Sequence, residues 1–286
     1  MKSILVTGGS GFLGGYVYRC FRSAGYEVKN FDIVGDETDC YYMKGSILDF
    51  NKVTRAVDTA DIIFHFAGFT NINHVKANPK DCIELNIMGT TNFLEAIRQK
   101  GEGRFILASS VYAHNTQGHL YTSSKLASEL ICQNFSKLYG IPTTILRIAT
   151  VYGEESRHED VVSIFVKRAC AGQPITIHGS GEQIRHFIHG EDVAQACRRI
   201  VEKDIANTTL ILAYRRGISV NELAKIIRAH VPSCIIERRE NMGREDDYQG
   251  DIDDAKETYE VLKWEPKIHP EEGVKRLINY FQKNES

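Results

Sequence analysis

A cluster of glycines between a short apolar run and an amphipathic segment constrains this chain more than any other feature. Residues 4–6 predict a buried parallel strand, and the spacing of residues 16–24 predicts a helix. A glycine turn from a strand into a helix leaves backbone N–H groups bare at the helix N-terminus, and no Cβ blocks a pyrophosphate. The sequence therefore predicts dinucleotide binding at Gly8, Gly11 and Gly14, which with Gly9 fit G-x-G-x-x-G and G-x-x-G-x-x-G.

An acidic residue follows at the spacing that such a site needs. Residues 27–33 predict the second strand, and Asp32 lies near its end, 18 residues after Gly14. A carboxylate there can accept hydrogen bonds from the hydroxyls of the adenosine ribose and would repel a 2′-phosphate. The sequence therefore predicts NAD rather than NADP as the cofactor.

Strand and helix patterns alternate up to residue 148, which predicts an α/β fold with a doubly wound parallel sheet. After residue 153 the pattern loosens, which indicates a smaller C-terminal α/β cap. We expect a dinucleotide-binding Rossmann domain over 1–153, with returning segments near 187–213, and a substrate-binding cap over 154–286.

Bulk properties exclude several classes of protein. The net charge of −2 over 286 residues gives no broad attraction to nucleic acid or to an anionic membrane, and no apolar run is long enough to span a bilayer. The seven cysteines are scattered and lack C-x-x-C spacing. We therefore expect reduced thiols, no metal site, no signal peptide and a cytoplasmic location.

One pair of residues has the spacing of a proton-transfer site. Tyr121 and Lys125 are four residues apart on a predicted helix over 121–139, so they face the same side. An ammonium group near a phenol favours the phenolate and lowers its pKa. The predicted strand over 104–110 ends in Ser109 and Ser110, which could supply a further hydroxyl. Such a tyrosine can take a proton from a sugar hydroxyl while hydride leaves the carbon for NAD⁺.

Taken together, these motifs resemble the extended short-chain dehydrogenase/reductase family, in particular its sugar-nucleotide epimerase/dehydratase branch. The resemblance covers almost the whole chain. The matching stretches are 7–14, Asp32, 65–68, 86–90, 109–112, Tyr121 with Lys125, 146–147, 151–153, 179–189, 192–194 and 263–266.

The resemblance implies a Rossmann domain with tightly held NAD, a C-terminal substrate cap, and a homodimer built from the helices near 86–100 and 121–139. It assigns Ser109 or Ser110 to bridge the substrate and Tyr121, and gives Arg185, Arg244, Asp247 and Thr150 to the nucleotide-sugar substrate. The cofactor-binding residues that it implies, beyond the glycines and Asp32, are Phe12, Leu13, Ser46, Ile47, Phe66, Ala67, Gly68, Asn86, Tyr121 and Lys125.

Some positions depart from the family pattern. Ser46 replaces an Asp that reaches the adenine, Thr150 replaces an Asn at the substrate phosphates, and His186 replaces an Asp after Arg185. Only eight residues separate Tyr112 from Tyr121, where the family has a much longer loop. The stretch before Tyr112 is also about two residues short, so either serine could be the catalytic hydroxyl.

The residues after Ser110 bear on the reaction. Dehydratases of this family carry an Asp-Glu pair there, whereas this chain has Val111 and Tyr112. Dehydration is therefore disfavoured, and the preference for NAD at Asp32 favours, within the family that the chain resembles, an epimerase acting at C4 of an NDP-hexose through a transient 4-keto sugar. A ketoreductase or 4-dehydrogenase of an NDP-sugar is the alternative, and a non-catalytic dinucleotide sensor is disfavoured because serine, tyrosine and lysine occur together.

Overall fold

The computed structural model describes residues 2–70, 74–114, 119–156, 160–240 and 255–284. The chain divides into two compact units. Unit 1 comprises Met1–Ile148 and Ala194–Ile211, and unit 2 comprises Ala149–Val193 and Leu212–Ser286. The boundary lies a few residues before the expected position 153, and the returning segment is shorter than 187–213.

Strands and helices alternate through unit 1, and the strands become shorter in unit 2. The strands are β1 Ile4–Thr7, β2 Val28–Asp32, β3 Tyr42–Lys44, β4 Ile62–His65, β5 Arg104–Ser110, β6 Thr143–Ile148, β7 Thr150–Tyr152, β8 Ile175–His178, β9 Ile184–Arg185, β10 Phe187–His189, β11 Thr208–Leu212, β12 Ile218–Ser219 and β13 Ile236–Arg239. The helices are α1 Phe12–Ser23, α2 Phe50–Val57, α3 Pro79–Ile83, α4 Gly89–Lys100, α5 Leu120–Tyr139, α6 Val161–Cys170, α7 Gly190–Glu202, α8 Val220–His230, α9 Ala255–Leu262 and α10 Pro270–Asn284.

Within the described part of the chain, seven strands form one sheet in the order β11-β6-β5-β4-β1-β2-β3. The neighbouring pairs from β3 to β6 are parallel; Ile4, for example, lies opposite both Val28 and Ile62. The order reverses at β1, from which β2 and β4 lie on opposite sides. This is the doubly wound arrangement that the alternating pattern predicts, and it is confirmed.

The central strands form because they are apolar runs that are buried on both faces. All four residues of β1, all four of β4 and all seven of β5 are buried. Helix α5 ends at Gly140, which adopts the left-handed conformation with a φ of 70°. The core of unit 1 packs these strands against side chains such as Phe31, Phe93 and Phe105, which are 0–1% exposed.

Unit 2 has its own core, built from helices and short strand pairs. The pairs are β7 with β10, β8 with β13, and β9 with β12. Tyr152, Val166 and Ile227 lie at the centre of this core and are 0–1% exposed. In the segments that the structure describes, no helix has both the length and the apolar character required to cross a membrane.

Candidate active site

The turn between β1 and α1 has a backbone that only glycine satisfies at two positions. Gly8 has a φ of +73°, and a Cβ placed on it would lie 2.8 Å from the backbone nitrogen of Ala67. A Cβ on Gly14 would overlap the carbonyl oxygen of Gly8. At both positions the turn packs too closely against neighbouring backbone to admit a side chain, so glycine is required there.

Helix α1 begins in a way that suits an anion. Gly11 is the N-cap residue, it makes no side-chain cap hydrogen bond, and the first turn carries no acidic residue. The first N–H groups of an α-helix, here those after Gly11 at Phe12 and Leu13, have no intrahelical partner and form its positive end. The glycine turn over residues 8–14 and this positive helix end together form what we call the glycine cradle. The cradle therefore fits the pyrophosphate of a dinucleotide.

The carboxylate of Asp32 is fixed beside this turn. Its Oδ2 accepts a hydrogen bond of 3.1 Å from the backbone N–H of Ser10, and its Oδ1 accepts one of 2.7 Å from Ile33. Asn30 on the same strand donates to the Ser10 hydroxyl at 2.9 Å. These bonds bring the end of β2 onto the glycine turn, where a ribose hydroxyl can reach a partly exposed carboxylate.

The predicted adenine-side residues follow β3. The hydroxyl of Ser46 accepts a hydrogen bond of 3.2 Å from the backbone N–H of Leu48. Ile47 is 5% exposed, and its carbonyl accepts a hydrogen bond of 2.9 Å from Asn92. The structure thus holds this turn in place by local bonds, with Ser46 partly exposed and Ile47 packed inward.

Phe66, Ala67 and Gly68 continue β4 past its last residue and are partly exposed. The hydroxyl of Thr7 accepts a hydrogen bond of 3.1 Å from the Ala67 N–H and contacts Nδ1 of His65 at 2.9 Å. Because His65 is fully buried, its pKa is lowered to about 3, an effect to which the charge of Lys125 adds. The neutral His65 ring therefore contacts the Thr7 hydroxyl, which in turn holds the loop over residues 66–68 against Gly8.

Asn86 holds the same loop in place by hydrogen bonds to Phe69. It lies on a turn of π-helix, Glu84–Met88, which precedes α4. Its Oδ1 accepts from the Phe69 N–H at 2.8 Å, while its Nδ2 donates to the Phe69 carbonyl at 3.1 Å and to the Ser124 hydroxyl at 2.8 Å. The side chain is 2% exposed and occupied by protein contacts, so it ties the loop to α5.

Helix α5 places two side chains against the carboxyl end of β5. Tyr121 is 8% exposed, and Ser110 lies near enough to its phenol for hydrogen bonding to lower the pKa of that phenol. Lys125, one turn later, is 6% exposed and donates a hydrogen bond of 2.9 Å to the carbonyl of Ala108. The Nζ of Lys125 lies 5.8 Å from the centroid of the Tyr121 ring.

The two serines at the end of β5 have different partners. The hydroxyl of Ser109 donates to Oε1 of Glu129 at 2.5 Å. The hydroxyl of Ser110 bonds to Tyr121 and accepts a hydrogen bond of 3.3 Å from the Tyr112 N–H. Of the two candidates for the catalytic hydroxyl, the structure brings Ser110 to Tyr121.

The expected lowering of the Tyr121 pKa is not found in this geometry. Burial raises the pKa of Tyr121 above its ordinary value, and the hydrogen bond from Ser110 only partly opposes that rise. Burial also lowers the pKa of Lys125 to about 8, whereas nearby Cys82 and Glu129 raise it. The sequence expectation was wrong because it counted the neighbouring charge without the loss of solvent.

The predicted substrate residues fall in unit 2. Thr150 begins β7, and its N–H donates a hydrogen bond of 3.1 Å to the carbonyl of His186. Arg185 lies on β9 opposite Ile218, immediately before His186. Thr150 and Arg185 are therefore brought close in the fold of unit 2. Arg244 and Asp247 lie outside the described residues.

Glu154, His189 and Glu191 form the group of potential metal ligands in unit 2 whose ligand atoms lie within 4.8 Å of one another. His189 bonds to Glu154 through Nε2 at 3.1 Å, and its Nδ1 accepts from the Glu191 N–H at 3.2 Å. Since Nδ1 of His189 accepts the backbone bond, the ring proton lies on Nε2 and can be donated to Glu154. Hydrogen bonds therefore explain why these three residues lie together.

A residue that the motifs did not single out is Glu129, which binds Ser109 and forms an ion pair with Arg147. Its spacing from Tyr121 and Lys125, at eight and four residues, is the sequence signal that could have found it. The Thr7–His65 contact has no such signal, because the two residues lie on different strands.

The doubly wound sheet, the glycine cradle at its switch point and the Ser110–Tyr121–Lys125 group define a dinucleotide-binding enzyme of the extended short-chain dehydrogenase/reductase class. The comparisons with known proteins narrow this class. The profile of the NAD dependent epimerase/dehydratase family matches residues 4–212.

Characterised relatives align along nearly the whole chain. The mouse dTDP-D-glucose 4,6-dehydratase is 27% identical over 321 residues, covering 99% of this chain and 89% of the relative. The UDP-glucuronate 4-epimerase of Thermodesulfobacterium geofontis is 27% identical over 320 residues, covering 99% of this chain and 97% of the relative. The crystal structure of the Thermotoga maritima UDP-glucose 4-epimerase with UDP-glucose superimposes with a TM-score of 0.90 at 28% identity, covering 99% and 100% of the two chains.

The chain belongs to the NAD-dependent epimerase/dehydratase family. It is an NAD-dependent enzyme, and its relatives act on nucleotide sugars. The predictions of the fold, the cofactor and the enzyme class are confirmed. The predicted epimerase activity fits these relatives, among which dehydratases also occur.

Proposed function

We propose that the protein is an NAD-dependent epimerase that inverts C4 of a nucleotide-linked hexose through a transient 4-keto sugar. The observation that carries the proposal is the contact of Ser110 with the Tyr121 phenol, with Lys125 one turn further along α5. All three belong to unit 1, which also holds the glycine cradle and Asp32. A binding module would need the cradle alone.

Unit 1 holds the cofactor in this proposal. The N–H groups after Gly11 bind the pyrophosphate, Asp32 binds the adenosine ribose, and the backbone of Ala67 and Gly68 lines the nicotinamide side. Lys125 holds the nicotinamide ribose. When bound, NAD accepts the hydride from C4 and returns it to the opposite face of the keto sugar.

Tyr121 moves the proton. As the C4–H bond gives up its electron pair, the O4–H bond breaks, its proton passes to the Tyr121 oxygen, and the C4=O4 bond forms. The reverse transfer restores the hydroxyl. Ser110 bridges O4 and Tyr121 by hydrogen bonds. With the cofactor bound, the positive charges of Lys125 and of the oxidised nicotinamide would together favour the phenolate.

Unit 2 binds the nucleotide part of the substrate. Arg185 presents a guanidinium suited to a pyrophosphate, and the Thr150 N–H donates to the carbonyl of His186, the residue that follows Arg185. We assign Arg244 and Asp247 to the same nucleotide. Uridine is the base to test first, because the epimerases compared above act on UDP-sugars.

The residues that follow Ser110 favour epimerisation over dehydration. Val111 is 6% exposed and apolar, and Tyr112 lies with it on a 3-10 turn, Val111–His114. Neither offers a carboxylate for the β-elimination of a dehydratase. The ketoreductase or 4-dehydrogenase remains the second candidate, because it would use Ser110, Tyr121 and Lys125 in a single direction.

We further propose a homodimer formed through the α4 and α5 region. Large apolar side chains are exposed there at about half or more of their surface. They are Met88 at 49%, Leu130 at 50%, Leu138 at 68% and Tyr139 at 52%.

We also place the protein in the cytoplasm, which the buried free thiols of Cys82, Cys132 and Cys197 support.

The direct test adds UDP-, dTDP-, GDP- and CDP-hexoses to the purified protein and follows the reduced-nicotinamide absorbance. An epimerase gives a transient, self-restoring signal and the C4 epimer as product. Net consumption of added cofactor would instead establish the ketoreductase or dehydrogenase. Tyr121→Phe should abolish turnover and retain NAD, and unchanged turnover in that variant contradicts the proposal.

A further inference from the structure

A buried carboxylate lies on α5 directly beyond the proposed catalytic pair. Glu129 is one turn after Lys125 and two turns after Tyr121, so the three side chains share one face of the helix. Glu129 is 1% exposed. A carboxylate buried to this extent is costly unless it is paired and hydrogen-bonded, so its partners show what it does.

Two residues of the sheet donate hydrogen bonds to the Glu129 carboxylate. Arg147 on β6 binds it with both Nε, at 3.0 and 3.2 Å from the two carboxylate oxygens, and Nη2, at 2.7 Å from Oε2. Ser109 on β5 donates to Oε1 at 2.5 Å. The carboxylate therefore joins α5, β5 and β6 at a single point.

Three residues of α5, one on each successive turn, meet the end of β5. Tyr121 meets Ser110, Lys125 meets the Ala108 carbonyl, and Glu129 meets Ser109. The last of these contacts holds the strand residue next to Ser110 and is the one backed by an ion pair. Loss of that contact would remove the side-chain link between α5 and the strand residue next to Ser110, while the strand itself stays paired with β6.

Glu129 also carries charge beside Lys125. The titratable groups that act on Lys125, or that it acts on, come from α3, β4 and α5, and one of them, Glu129, is a carboxylate. Arg147 on β6 is linked to these groups by its ion pair with Glu129. The groups are Cys82, His65, Glu129 and Cys132, with Tyr121 one turn before Lys125.

We propose that Glu129, held by Arg147 and Ser109, is a positioning residue that sets the catalytic helix on β5 and places a buried carboxylate one turn from Lys125. The inference rests on the proposed function in one respect, namely that Lys125 serves the reaction as a cation.

The electrostatic part gives a signed expectation. Burial lowers the pKa of Lys125 to about 8, and the charge of Glu129 raises it. Glu129→Gln keeps the size of the side chain and removes the charge, so the Lys125 pKa should fall further. Because the ammonium is lost as pH rises through that pKa, the alkaline limb of kcat should move to lower pH by the same amount.

The first measurement follows the Nζ titration of Lys125 by NMR in protein with isotope-labelled lysine, assigned with Lys125→Met. Glu129→Gln should move the midpoint down, and Ser109→Ala, which keeps every charge, should leave it in place. An unmoved midpoint in a folded Glu129→Gln protein overturns the electrostatic claim. Should that variant not fold, Arg147→Gln leaves the Glu129 charge uncompensated and should move the midpoint up; no upward shift overturns the claim.

The second measurement records kcat against pH for the same variants. The limb of Glu129→Gln should shift, whereas a role in stability alone would lower kcat equally at every pH and leave the limb unmoved, which overturns the positioning claim. If the unaltered protein turns over no nucleotide sugar, the proposed function fails, and the Lys125 titration still decides the charge coupling.

Discussion

The hydroxyl of Ser110 lies beside the phenol of Tyr121 and acts to lower its pKa, while the adjacent Ser109 hydroxyl donates to Glu129. Two neighbouring serines thus have separate roles. Ser110→Ala should lower kcat by about 100-fold, because it removes the donor that faces the reacting oxygen. Ser109→Ala should cost less than about tenfold, because it weakens only the support of the strand end. Steady-state kinetics of the two variants measure the difference; an equal loss in both would contradict the assignment.

Gly8 should be more sensitive to substitution than another glycine of the same backbone conformation. Gly8→Ala places a methyl group against the Ala67 backbone in a residue with φ +73°. Gly25 has a φ of +81° with open space around it, so Gly25→Ala isolates the cost of the left-handed backbone, about 1–2 kcal/mol. Gly8→Ala should lower the melting temperature further than Gly25→Ala and purify without NAD. Retention of NAD in Gly8→Ala would contradict the cradle.

Asp32 should decide between the two nicotinamide cofactors. Asp32→Ser removes the carboxylate that faces the ribose and should weaken NAD binding by about tenfold, or about 1.4 kcal/mol, while NADP binding improves. The matched control is Asp36→Asn, which removes the same charge from the following turn, where Asp36 bonds to Thr38. Calorimetric titration of the cofactor-free proteins gives both affinities. An unchanged preference in Asp32→Ser would rule out this role.

His65 should make the fold sensitive to acid. Its pKa is about 3 in the folded protein, against an ordinary value of 6.5, so the unfolded chain binds the extra proton as pH falls through that window. Stability should therefore decrease by about 1 kcal/mol between about pH 7.5 and about pH 5.5 through this group. His65→Asn should flatten the pH dependence of urea unfolding, and the exposed His178→Gln should not. Equal slopes in all three proteins would contradict a buried neutral His65.

Much of unit 1 could be predicted because its signals are local. Strand β5 has the bounds 104–110 that the sequence indicates, and α5 ends at Tyr139 as expected. Unit 2 was harder to predict. Strands β9 and β12 have two residues each, too few for any periodicity, and they exist because they pair with each other.

The candidate site likewise has features that the sequence identifies and features that depend on the fold. The glycines, Asp32 and the Tyr121–Lys125 pair have fixed spacings, so the sequence identifies them. Adjacent hydroxyls do not reveal which of them meets Tyr121, since that depends on where α5 crosses β5. The direction of the Tyr121 pKa shift depends on burial, which spacing alone does not report.

The central claim is that hydride leaves C4 and returns to the same carbon while Tyr121 carries the proton. The most direct test is turnover of a UDP-hexose deuterated at C4, followed by NMR and mass spectrometry of the product. The account predicts the C4 epimer with deuterium retained at C4 and no net change in NAD. Loss of deuterium to solvent, or stoichiometric accumulation of reduced cofactor, would contradict it.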